Sequence, residues 1–153
     1  MNAWFRRLLL ILTIGGGAVG IVLTMSLFGQ MTKVFGFIIL LAFIALYGYG
    51  VFVGLKLSEG PVSLKHLRVY FGLQIPFFSS PIIGYRFCSG FQFTAAVMQP
   101  GFRWDLRLGS EWQFILGSPA PWGIGINFFA LAILLLLHSR LAGPDNVPAE
   151  LNA

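Results

Sequence analysis

The chain has 153 residues, a single-domain length, with 57% of them in the set AVILMFWYC and only 10% charged. A soluble domain carries roughly 25% charged residues, so this composition cannot cover a water-facing surface. It excludes an ordinary soluble enzyme, a disordered chain and a disulfide scaffold. The formal charge is +5, but the basic residues are dispersed and the only adjacent pair is Arg6-Arg7, which excludes a nucleic-acid binder. The mean hydropathy of +0.82 marks an integral membrane protein, with membrane lipid as its first partner.

Leu8 to Gly29 carry no charge. At 1.5 Å per residue such a run makes roughly 33 Å of helix, enough to cross the hydrocarbon core. Arg6-Arg7 and the small residues Ala18-Val19-Gly20 resemble a signal peptide, but the apolar run continues to Phe28, and a retained first helix is expected. After the short turn Gln30–Lys33, Val34 to Leu55 form a second uncharged run. Residues 1–56 are therefore expected to be a transmembrane helical hairpin, with spans at about 8–29 and 34–55.

Residues 57–118 change character. Glu59 is charged and Gly60-Pro61 is a turn signal. From His66 to Phe77 every odd position is apolar and most even ones are polar or small, a half-buried strand pattern. The period returns at Tyr85–Thr94 and again at Arg103–Leu108. After Gly109-Ser110 it continues through Glu111–Leu116, which reads as a β-hairpin. The segment is expected to be a membrane-apposed, four-stranded antiparallel sheet. It holds half of the chain's Phe, Tyr and Trp residues, and its aromatic face requires cover from helix ends, lipid headgroups or a partner. Phe71, Phe87, Phe91, Phe93, Trp104 and Trp112 are the residues expected on that face.

Residues 119–142 read as a last transmembrane helix, opened by Ser118-Pro119-Ala120-Pro121 and closed by Arg140. Residues 143–153 read as a flexible polar tail. The fold class expected is an integral membrane α+β protein with three transmembrane helices. Four is the alternative if part of 69–98 crosses the bilayer. Three spans collect Arg6, Arg7, Lys56, Lys65, Arg68, Arg86, Arg103 and Arg107 on one side. The positive-inside rule then puts the N-terminus and the β segment in the cytoplasm and the C-terminus outside.

Gly15–Gly20 match the dinucleotide fingerprint in letters only, because no strand precedes the glycines and no acidic residue follows at the required distance. Gly16 and Gly20, and likewise Gly50 and Gly54, have the small-xxx-small spacing that lets helices approach, within the hairpin or between two copies. Asn127, read as lying inside the last span, is the polar residue expected to hydrogen-bond a neighbouring helix. His66 and His138 have no i, i+4 partner, so no metal site and no haem are expected. No cofactor is implied. No Ser/His/acid set or P-loop occurs. Asp105 and Glu111 interleave with Arg103 and Arg107, a pattern for cross-strand ion pairs rather than acid–base chemistry. The expected function is that of a non-enzymatic accessory or interaction protein, self-association included. The alternative is a lipid-binding or small-solute transport component that uses the aromatic face.

Overall fold

A computed structural model describes residues 2–60, 64–117 and 119–139. The first long helix runs Ala3–Gln30. It consists of α1 (Ala3–Leu10), a π-helical turn (Ile11–Gly15), α2 (Gly16–Ser26) and a closing 3-10 turn (Phe28–Gln30). It pairs with α3 (Val34–Glu59). Both long helices have the length and apolar composition to cross a membrane. Their packing uses glycine: a Cβ on Gly20 would collide with the Tyr47 ring, and one on Gly54 with Ile14 and Thr13. Arg6 crosses between the helices and donates to the Leu57 and Ser58 carbonyls at 2.9 Å, which satisfies two acceptors at the end of α3.

The remaining elements are α4 (Leu64–Gly72), the strands β1 (Pro76–Ser79), β2 (Ile83–Cys88), β3 (Phe91–Met98), β4 (Gly101–Leu108), β5 (Glu111–Leu116) and β6 (Gly123–Asn127), and α5 (Phe128–Ser139). The strands form one antiparallel sheet in the order β4-β3-β6-β1-β2-β5. The chain is α+β, with two long apolar helices and a six-stranded sheet.

Four sequence expectations change. The alternation over 66–77 does not make a strand: its first part is α4. Leu67, Tyr70 and Phe71 lie at helical spacing and are buried together, so tertiary burial selects the 3.6 period over the 2.0 period present in the same residues. Gln74 closes the turn after α4. Its Nε2 donates to the Tyr70 carbonyl and its Oε1 accepts from the Ser89 N–H at 3.0 Å. Second, Tyr85–Thr94 is split into β2 and β3 by Ser89-Gly90. Gly90 has φ +88, a left-handed conformation that costs a glycine little.

Third, β4 and β5 do not pair as a hairpin. β4 pairs with β3 and β5 with β2, so Gly109-Ser110 joins the two edges of the sheet. Fourth, the region expected as a last transmembrane helix is β6 followed by the 12-residue α5. Twelve residues make about 18 Å of helix, short of a bilayer core. The strand was hidden because its inward residues are Gly123 and Gly125. Against Met98 and Ala96 a Cβ has no room at either position, so the alternation Gly-Ile-Gly-Ile is a strand pattern without inward side chains. The end of that expected helix beyond Ser139 and the tail 143–153 lie outside the described residues.

Candidate functional site

Register assigns the two faces of the sheet. Thr94 lies opposite Asp105 and Asn127, Gln92 opposite Arg107, Ala96 opposite Arg103, and Arg86 opposite Gln113. One face thus carries Arg86, Gln92, Thr94, Arg103, Asp105, Arg107, Glu111 and Gln113. The other carries Phe78, Tyr85, Phe87, Phe91, Phe93, Val97, Phe102, Trp104, Leu106, Leu108, Trp112, Phe114, Ile124 and Ile126. Alternation along each strand forces this separation.

The sheet curls around its polar face. An ion pair bridges the strands at its two edges, Arg107 Nη1 of β4 lying 3.0 Å from Glu111 of β5, while Arg107 Nε sits 2.8 Å from Asp105 on its own strand. Arg86 on β2 reaches both acids at 3.4 Å, and its guanidinium lies 4.5 Å from the centre of the Phe77 ring. Gln92 Nε2 donates to Asp105 at 3.2 Å. The ion pairing expected of Asp105 and Glu111 is present, with Arg107 and with Arg86. Arg103 takes no part in it. The curl encloses a cup of about 400 Å³, lined in part by Ser79, Arg86, Thr94, Arg103 and Gln113. Two apolar grooves run along the outside. One, of about 690 Å³, shares Ser79 and Met98 with the rim of the cup. The other, of about 520 Å³, lies over β1, β3 and β6.

The outer apolar face is divided in two. Helices cover one half. Phe43 of α3 stacks on Trp112 with centroids 4.3 Å apart, Tyr47 meets Phe87 at 5.0 Å, and Phe91 meets Phe129 of α5 at 4.5 Å. Such pairs stabilise by about 0.5–1.5 kcal/mol each beyond their burial. The other half is bare: Trp104 is 68% exposed, Ile124 71% and Leu108 83%, with Phe93, Val97, Phe102 and Leu106 beside them. Of the six residues expected on an aromatic sheet face, Phe87, Phe91 and Trp112 therefore pack on helices, and Phe93 and Trp104 are exposed. Phe71 is not on the sheet but buried in α4.

The four glycines and Asn127 also have definite places. Gly20 and Gly54 face the partner helix of the hairpin, as described above. Gly50 faces the Tyr70 ring of α4. Gly16 faces the link between β2 and β3, where a Cβ would lie 2.7 Å from the Gly90 nitrogen. Beside it the π turn sends the Gly16 N–H to the Ile11 carbonyl, and the Leu12 carbonyl accepts from Ser89 Oγ at 2.9 Å. Asn127 is not inside a span. It ends β6 and caps α5: its Oδ1 accepts from the Phe93 N–H at 3.3 Å, the Phe129 N–H at 3.2 Å and the Ala130 N–H at 3.4 Å.

Among the described residues no group of three or more His, Cys, Asp or Glu is placed to hold a metal ion. Sequence reasoning found Arg103, Asp105, Arg107 and Glu111 but not the cup. The signal was the polar half of the alternation, read only as the reverse of an aromatic face. Comparison with family models, curated proteins and solved structures finds no match to this chain.

Proposed function

We propose that this is an integral membrane protein that binds rather than transforms, with the bare outer face of its sheet in contact with lipid. One observation carries the reading: the sheet is apolar outside and polar inside, the reverse of a water-soluble barrel. In water the exposed Phe102, Trp104, Leu106, Leu108 and Ile124 would form an apolar patch that soluble proteins do not leave open. In lipid the arrangement is the stable one, because charged groups inside a membrane pair with one another and turn away from the acyl chains.

The docking position supports the same reading. The sheet meets the long helices at Leu12, Gly16, Phe43 and Tyr47, near their midpoints rather than at their ends. From Tyr47 back to Phe43 the contacts on β2 move from Phe87 to Tyr85. The open end of the cup therefore lies toward the Gln30–Lys33 turn. At the other end, Arg68 Nη2 comes within 3.5 Å of His138 Nδ1, so α5 finishes beside the middle of α4. Two helices cross the bilayer in this reading. The sheet flanks their outer half, and α4 and α5 flank their cytoplasmic half. Arg6, Arg7, Lys56 and Arg68 mark the cytoplasmic side. Ser139 then lies on the same side as the N-terminus, not the opposite side that a third span requires.

The test uses a variant that retains Trp104 and carries Phe at Trp4, Trp112 and Trp122, reconstituted in nanodiscs. Lipids brominated in the acyl chain are expected to quench Trp104 strongly, while aqueous acrylamide does so weakly. The opposite order would show a water-facing sheet and defeat the proposal. Strong quenching by neither reagent would point to self-association, with a second protein copy as the cover.

A further inference from the structure

The charges in the cup do not cancel. Arg86 and Arg107 are matched by Asp105 and Glu111 in one connected set of ion pairs. Arg103 is left over, with no acceptor among the described residues. It lines the cup toward its open end, in company with Gln113, Ser79 and Thr94, which are neutral hydrogen-bonding groups. The buried Nε–H of Arg86 also lacks an acceptor, and a guanidinium donor left unsatisfied is costly. The surplus is one positive charge, and the unfilled hydrogen-bonding capacity includes guanidinium donors. Arginine is the side chain best matched to the planar or tetrahedral oxygens of a carboxylate or phosphate.

Size and surroundings narrow the ligand. About 400 Å³ exceeds what a bare oxyanion fills and suits a small head group. The apolar groove of about 690 Å³ meets the cup at Ser79 and Met98, so one molecule can place a charged end inside and a hydrocarbon chain outside. We propose that the cup binds one monoanionic oxyanion head group on Arg103, the chain of that amphipath lying in the adjoining groove. This inference rests on the lipid-facing reading of the sheet. The same oxyanion chemistry has two sources, a lipid head group from the surrounding leaflet or a free anion from the aqueous side.

The experiment uses the full chain in nanodiscs, with the Trp104-only variant as reporter. In phosphatidylcholine containing a minor fraction of brominated phosphatidylglycerol, quenching is expected to exceed that from the same fraction of brominated phosphatidylcholine. Arg103→Gln is expected to weaken that preference at least about tenfold, the loss expected for a charge-assisted hydrogen bond, and Arg103→Lys to restore part of it. Arg103 makes no ion pair among the described residues, so the melting temperature serves to confirm that Arg103→Gln is folded. A second arm adds inorganic phosphate or acetate to protein in phosphatidylcholine alone and reads the melting temperature. A rise abolished by Arg103→Gln assigns the site to a free anion. No anion preference in either arm, or a preference unchanged in Arg103→Gln, overturns the proposal. Quenching by brominated phosphatidylcholine reports the lipid-facing sheet separately, so failure of the cup and failure of that reading are distinguishable.

Discussion

The Ser110 hydroxyl donates to the Gly16 carbonyl across 94 residues of sequence, joining the turn between the two sheet edges to the middle of the first long helix. The Ser89–Leu12 bond lies beside it, so two serine hydroxyls of the sheet's links bond to the backbone of the first long helix. Gly16 permits the contact because it has no side chain to hold the strands away.

Gly16→Val is expected to destabilise the fold by about 1–3 kcal/mol, the usual cost of an overpacked contact. Its Cβ must displace backbone at Gly90 rather than a flexible side-chain end. Gly15→Ala one residue earlier meets nothing within 4 Å and is expected to be neutral or to stabilise by up to about 1 kcal/mol through helix propensity. Thermal unfolding in mild detergent compares the two. Equal melting temperatures would mean that the helix and sheet do not touch there.

Asn127 is expected to act through its acceptor oxygen alone. Asn127→Ala removes the partner of three backbone donors and is expected to cost about 1–3 kcal/mol. Asn127→Asp keeps the acceptors, and a carboxylate at a helix N-terminus is favourable. The buried Nδ2, which has no partner among the described residues, is not missed. Melting curves should rank wild type and Asn127→Asp together, above Asn127→Ala. An aspartate variant as unstable as the alanine one would contradict the cap assignment.

Cys88 is 1% exposed, and its backbone carbonyl accepts from the Tyr47 hydroxyl at 3.0 Å. Maleimide labelling of the native protein in detergent is expected to be more than about tenfold slower than that of denatured protein, since a buried thiol is inert. Phe43→Ala, which removes the ring stacked on Trp112, is expected to accelerate labelling by loosening the sheet from α3. Fast labelling of the wild type would show that this seam is open.

Much of the architecture is legible in the residues themselves. The two uncharged runs become the two long helices, and the alternation at Arg103–Leu108 and Glu111–Leu116 becomes β4 and β5. Where short-range pattern failed, it failed for stated reasons. The residues of α4 satisfy both periods, and nothing local chooses between them. Glycine gives β6 no inward side chain to count. Gly109-Ser110 has the composition of a hairpin turn, but β3 and β2 compete for the backbone edges of β4 and β5 and win them with eight and six paired positions.

Composition and periodicity by themselves determined that the chain is strongly apolar, that the first two of the three expected spans are long and apolar enough to cross a bilayer, and that the strands divide aromatic from charged residues. These are properties of consecutive residues and follow from helix and strand repeats. Only the tertiary structure decided that the sheet curls with its charges inside, that Arg86 joins Asp105 to Glu111, and that Arg103 has no acid partner among the described residues. Strand order and curl set those relations. They depend on contacts between residues far apart in the chain, which no local repeat encodes.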